Sequence, residues 1–334
     1  EQASVTAIKP FFAKSFPDGG PPVLNHLGSG RLSGNMRFSS HAGEQPVWSG
    51  DVQLAGASVV VPGIAEPLEA SAGIEFAGEQ LSAKAIAGRF AKANLSLEGT
   101  YRYEPKGDHP HVFALTLPTA DLATLEALLE PALSRKDPGL LARTLLRADR
   151  PVQRLDDLHA EGTVKVGTLS VAGVPLTPAR LHLTWDGPAV DADFDAGAWK
   201  GTGAIDLREP QPVYKCSARF DNGAWQGGRA DAAVAITTRG LGKAALANLV
   251  LEGSFTGRGL NLSPHGPVRQ ASGSFTGTAK QLAFKNLTAS TPTESYTGEG
   301  TSDVNGKLAV TLSSPKRQWQ LGGKIWPLAL ESKP

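Results

Sequence analysis

Along most of this chain of 334 residues, apolar side chains alternate with polar or small ones, a period of two that places one greasy face on each extended segment. Val59 and Val61, Ile74 and Phe76, and Leu95 and Leu97 keep this period, as do Val164 and Val166. It is clearest in RLHLTWDG, where Leu181, Leu183 and Trp185 oppose His182 and Thr184. Similar runs continue through Ile205 and Leu207, Val234 and Ile236, Leu282 and Phe284, and Leu308, Val310 and Leu312. Separated by glycine- and proline-bearing turns, such runs predict a mainly antiparallel sheet.

The runs are organised as a repeat. Three cassettes open on a glycine, in SGDVQLAGASVVV at Gly50, EGTVKVGTLSVAG at Gly162 and EGSFTGRGLNLSP at Gly253. Each is followed by a second glycine motif, LSLEGTYRY at Gly99, WKGTGAIDL at Gly203 and YTGEGTSDV at Gly300. Self-similarity at this spacing predicts a repetitive β architecture.

One stretch changes period. From Thr119 to Ala148 the leucines recur at helical spacing. Thr119 is the expected cap of a helix carrying Leu122, Leu125, Leu128, Leu129 and Leu133, and Asp137–Pro138 opens a second carrying Leu140, Leu141, Leu145 and Leu146. The expected layout is therefore β structure over 1–118, a helical hairpin over 119–150 and further β structure over 151–334, the two β regions being continuous. A short helical turn is also expected over Lys243–Leu249.

Composition narrows the function. With 33 lysines and arginines against 32 aspartates and glutamates, the formal charge is +1, and no field exists to draw in nucleic acid. Cys216 is the single cysteine, which excludes an internal disulfide. On a strand whose face it shares with Tyr214, Ala218 and Phe220, it reads as a small buried hydrophobe. No run of 18 apolar residues predicts a transmembrane helix.

Motifs of chemistry fail in detail. Asp191, Asp193 and Asp195 of DADFD resemble the start of a calcium loop, but its glycine and glutamate positions hold Ala196 and Thr202, so a solvated strand face is expected. His109 and His111 share a face at a metal-clasping spacing, with Pro110 between them and no third ligand nearby; a surface turn is expected. LGSGRLSGN from Leu27 is one residue too long for a dinucleotide fingerprint and is followed by strand-like residues. NGKL at Gly306 lacks the phosphate-loop hydroxyl, and there is no GxSxG nucleophile elbow. The sequons at Asn94, Asn261 and Asn286 carry no argument. No catalytic residue, metal site or cofactor is expected.

An alternating sheet must bury its apolar face, either in an ordinary core or by curling into a trough that shelters a guest. The residues from His159 to Leu262 decide which expectation to prefer. HAEGTVKVGTLSVAGVPLTPARLHLTWDG, YKCSARFDNGAWQGGRADAAVAITTRG and ALANLVLEGSFTGRGLNL resemble the C-terminal region of the AsmA-like proteins of Gram-negative envelopes, a family related to TamB and YhdP. The preceding LPTADLATLEALLEPALSRKDPGLLARTLLR is similar to what precedes that region in the family.

The resemblance implies an elongated antiparallel β-sheet curled into a U-shaped groove, in a periplasmic body anchored to the inner membrane by a segment not present here. It implies a non-enzymatic role in moving phospholipid between the two membranes. The expected groove lining is Val59, Val61, Ile74, Phe76, Leu95, Leu97, Val164, Val166, Leu181, Leu183 and Trp185. The helical hairpin carries Arg135, Lys136, Arg143, Arg147, Arg150 and Arg154; Arg143 and Arg147 are candidates for touching anionic headgroups. The alternative is a β-scaffold without lipid cargo, binding another envelope protein.

Overall fold

A computed structural model of the chain describes residues 2–7, 26–39, 47–134, 157–171, 174–176, 178–261, 267–303, 305–324 and 329–332. The protein is mainly β, with the strands of an open sheet following one another in chain order. Two compact units divide it, Glu1–Ala192 with Asp206–Gln211, and Asp193–Ile205 with Pro212–Pro334.

In the first unit, β1 (Gln2–Ser4), β2 (Leu27–Ser39), β3 (Val47–Val59), β4 (Leu68–Gly78), β5 (Gln80–Phe90), β6 (Leu95–Tyr103) and β7 (His111–Asp121) pair antiparallel, each with the next. Helix α1 (Leu122–Leu133) follows, then β8 (His159–Val171), β9 (Val174–Leu176) and β10 (Ala179–Asp186). β8 takes β10 and the short β9 antiparallel on one edge, but it pairs with β7 in parallel, from His111 opposite Ala160 to Asp121 opposite Ser170. The antiparallel pairing expected from the sequence is interrupted here: strands running the same way need a crossover, and α1 lies in the connection that makes it.

The expected helix forms, but β7 runs through Thr119, and Asp121 is the cap, its carboxylate accepting the Thr124 N–H at 3.1 Å. The second helix expected from Pro138, together with Arg135, Lys136, Arg143, Arg147, Arg150 and Arg154, lies outside the described residues.

β11 (Ala189–Ala196) and β12 (Trp199–Asp206) precede a second regular series. In the second unit, β13 (Val213–Trp225), β14 (Gly228–Arg239), β15 (Val250–Asn261), β16 (Pro267–Thr278), β17 (Gln281–Ser290), β18 (Ser295–Asp303), β19 (Lys307–Ser313), β20 (Gln318–Lys324) and β21 (Ala329–Ser332) each pair antiparallel with the next. Helix α2 (Lys243–Ala247) falls in the β14–β15 connection, as the sequence predicts.

The first and third cassettes do repeat, in a register two residues away from the one their glycines suggest. β5 bulges between Ala83 and Ile86 with Ala85 at φ 50°, and β17 bulges between Phe284 and Leu287 with Asn286 at φ 51°. Superposing these bulges makes Val52, not Gly50, the counterpart of Gly253, and Gly298, not Gly300, the counterpart of Gly99. The glycine pair meets identical surroundings: a Cβ on Gly99 would stand 2.1 Å from the Ala114 carbonyl oxygen, and one on Gly298 would stand 1.9 Å from that of Thr311. A slip of two residues keeps every side chain on its own face, so the hydrophobic pattern does not register it.

Candidate functional site

Register places the apolar positions of successive strands in continuous rows. In the first unit one row runs Val52, Ile74, Ala83, Tyr101, Phe113, Gly162, Leu183 across β3 to β10. The adjacent row runs Phe76, Leu81, Tyr103, His111, Ala160, Trp185; Leu115, Val164 and Leu181 begin the row on the other side. In the second unit a row runs Ala218, Val234, Gly253, Phe275, Phe284, Gly300, Val310, Leu321 across β13 to β20. In each unit these rows lie on the more buried face, while the alternating positions between them carry mostly polar or small residues to solvent.

All the predicted lining residues except Val61 fall on this inner face, in two environments. Ile74, Phe76, Leu95, Leu97 and Val166 are buried in core clusters of the protein's own side chains. Val164, Leu181, Leu183 and Trp185 are only half-buried. Val59 is half-buried against the first cluster, whereas Val61 lies beyond the end of β3, its carbonyl accepting the Ile64 N–H in a turn. Sequence reasoning omitted Phe113, Phe255, Phe275 and Phe284 from the lining, although all four are half-buried on the same face and follow the same alternation.

These rings explain two cassette glycines. A Cβ on Gly253 would stand 2.4 Å from Phe275 Cζ, and one on Gly162 would stand 2.4 Å from Phe113 Cδ2. Each ring lies across a bare stretch of the neighbouring backbone, which only glycine leaves free. The result is a broad apolar floor. Cys216 belongs to it, half-buried, and burial raises its thiol pKa.

One end of the first unit's apolar interior is closed. Leu125 and Leu128 of α1 pack on Leu95, Leu97, Leu117 and Val166. The Ala65 N–H donates to the Leu128 carbonyl at 2.8 Å, and the Ala132 N–H to that of Gly63 at 3.1 Å. Glu66 is 7% exposed and accepts from the Lys92 and Ala93 N–H groups at 3.0 and 2.9 Å, fastening the same loop to the β5–β6 turn. A buried carboxylate with two backbone donors is satisfied structure, not an acid in waiting.

At the other end of these strands sit four of the seven histidines. His111 lies on the inner face, its Nδ1 at 2.8 Å from the Tyr101 hydroxyl. Burial lowers the pKa of His111 and pushes that of Tyr101 up to about 12. His109, in the preceding turn, does not converge with it: its Nε2 is 3.2 Å from Asp186 Oδ1, which also meets His159 Nδ1 at 2.9 Å. His182 Nε2 lies 3.2 Å from Glu161 Oε1. The hydrogen bond from His159 leads the causes holding Asp186 below the usual carboxylate range.

No family model, curated protein or solved structure matches the chain. The arrangement is therefore read from its own chemistry. Among the described residues no group of three or more His, Cys, Asp or Glu side chains has metal-holding geometry. The Asp191, Asp193 and Asp195 carboxylates are exposed along β11. The glycine-rich segment from Leu27 forms β2, paired antiparallel with β3, and so lacks the strand–turn–helix a dinucleotide needs. Asn94 and Asn286 occupy left-handed backbone at a turn and a bulge, conformations that asparagine tolerates. What the inner face offers a guest is apolar area.

Proposed function

We propose that this chain is a non-enzymatic lipid-binding and lipid-transfer module of AsmA-like type, sheltering acyl chains on the half-open parts of its inner face. The observation that carries the reading is the continuous apolar row in each unit, with half-buried Phe113, Val164, Leu181, Leu183 and Trp185 in one and Val234, Phe255, Phe275 and Phe284 in the other. Each methylene sheltered there contributes about 0.8 kcal/mol, so part of one acyl chain supplies useful affinity without polar recognition. The resemblance of His159–Leu262 to the AsmA-like C-terminal region supports the same reading and extends it to phospholipid cargo, a periplasmic location and an inner-membrane anchor outside this chain.

A second reading, a scaffold that carries no lipid, is favoured by the packing of Ile74, Phe76, Leu95 and Leu97 into closed clusters. Organic extraction of the purified protein, followed by mass spectrometry, decides between them. Near-stoichiometric phospholipid, reduced in a Leu183→Asp/Phe275→Asp variant that keeps its circular dichroism, is the expected result. A lipid-free, monodisperse and stable wild-type protein leaves the scaffold.

A further inference from the structure

The connections at one end of the second unit share a chemistry that the groove does not use. Register brings the end of β14, the start of β15 and the β16–β17 and β18–β19 connections to the same rim: Val213 lies opposite Arg239, Val250 opposite both Thr237 and Thr278, Gln281 opposite Asp303, and Lys307 opposite Lys324. The β14–β15 connection, LGKAALANL, stands out from this rim and contains α2.

Leu246 in it and Val250, which opens β15 directly after it, face water, while Leu241 and Leu249 are half-buried. Leu246 is 62% exposed and Val250 is 54% exposed, the two most exposed large hydrophobic residues of the described chain. Neither sits on a loose strand end. The Thr238 hydroxyl donates to the Ala245 carbonyl, Asn248 Nδ2 donates to the Arg239 carbonyl at 3.1 Å, and the Leu246 and Asn248 N–H groups close helical bonds to Gly242 and Ala244 at 3.1 Å each. The fold braces the knuckle in the conformation that keeps Leu246 outside. A single exposed leucine is ordinary. A braced one near a second exposed aliphatic, on a rim that carries cations along its length, is a surface with a direction.

The cations are Arg239, Lys243, Lys280, Lys307 and Lys324, all exposed. Two described carboxylates stand against these five cations: Asp303, whose Oδ1 is already engaged by the Asn305 and Lys307 N–H groups at 2.9 and 2.8 Å, and exposed Glu252, two residues from Val250 along β15. A protein partner of opposite charge would satisfy the lysines but leave Leu246 and Val250 to find an apolar pocket of their own. An anionic bilayer satisfies both at once, through headgroup charge at the rim and acyl boundary at the tip.

We infer that this rim is a membrane-docking tip, with Leu246 and Val250 entering the interface of an anionic bilayer and Arg239, Lys243, Lys280, Lys307 and Lys324 lying over its headgroups. The surface is separate from the inner face, so docking and cargo binding are independent measurements. It also lies outside the arginine-rich segment around Arg143 and Arg147.

Co-sedimentation of the whole chain with phosphatidylcholine vesicles containing 0 or roughly 30% phosphatidylglycerol tests the inference. Binding is expected with the anionic vesicles only, and it should weaken as salt rises. Leu246→Ser/Val250→Ser should lower that binding about tenfold, and Lys243→Gln/Lys280→Gln/Lys307→Gln roughly a hundredfold, at about fivefold per lysine. All five positions are exposed, so thermal unfolding should be unchanged and lipid recovered by extraction should be the same as in wild type. Equal binding to neutral and anionic vesicles, or variants that bind as wild type does, overturns the docking tip while leaving the groove untouched. Failure of the extraction experiment with vesicle binding intact does the reverse.

Discussion

The β2–β6 part of the first unit and the β14–β18 part of the second share their alternation, their antiparallel pairing and two bulges, at Ser71–Gly73 and Ala83–Ile86 in one and Ser272–Ser274 and Phe284–Leu287 in the other, yet their apolar faces are enclosed to different degrees. Val52, Ile74, Phe76, Leu81 and Ala83 are buried, while Val234, Phe255, Phe275 and Phe284 are half-open. The difference lies in what closes the face. Val5, Leu27 and Leu32 pack against the first group, and α1 with the Glu66 loop seals the adjoining end. In the second unit the buried cluster spans β15–β20, from Leu260, Val268 and Ala271 to Leu308, Val310 and Leu312, with Tyr296 and Trp319 stacked at 3.9 Å, and Phe255 and Phe284 pack against it without being enclosed. Alternation therefore specifies which face is greasy, and what packs over it, from β2 to α1 and its loop, decides whether that face is enclosed.

The sharpest way to break this contrast is to truncate one ring in each place. Phe76→Ala should cost about 4 kcal/mol in urea unfolding, as buried rings do, while Phe275→Ala should cost less than half of that because water already reaches it. Equal losses would mean that both faces are core. The glycines at equivalent positions test the opposite expectation, that the backbone is the same in both units. Gly99→Ala and Gly298→Ala each push a Cβ onto a carbonyl oxygen, and each should destabilise by about 3 kcal/mol, the two values matching. Unequal values would reject the superposition of bulges that sets the repeat.

Titration separates the regions more gently. Tyr101 keeps its proton in the folded state up to about 12, whereas the unfolded chain releases it near 10, so stability should fall by about 2 kcal/mol as pH rises through this window. His111 has the contrary sign: its folded pKa is lowered, so its contribution is present above the ordinary 6.5 and is lost as pH falls below it. Tyr101→Phe should abolish the alkaline loss in thermal unfolding. A variant that keeps it places the titrating group elsewhere.

Much of the fold is legible in the sequence because strand alternation is written residue by residue. RLHLTWDG displays its inner and outer faces directly, and β10 keeps them. Three features are not written that way. The two-residue slip of the cassettes preserves every face and so leaves no trace in hydrophobicity. The cap at Asp121 was hidden because β7 continues two residues past Thr119 into positions that also fit a helix. The half-open state of Leu183 and Phe275 depends on neighbours from distant strands, and comparable apolar residues at Ile74 and Phe76 end up enclosed. The docking rim was invisible for a related reason: its lysines lie on separate connections and meet only once the strands are in register.

The shared direction of β7 and β8 constrains how this protein can vary. A tight turn would oblige β8 to reverse, carrying Glu161, His159 and the partners of Asp186 to the far rim and dissolving their contacts with the His109 turn. Shortening of the span between these strands is thereby bounded, whereas lengthening is free. Relatives should differ there by what they have gained.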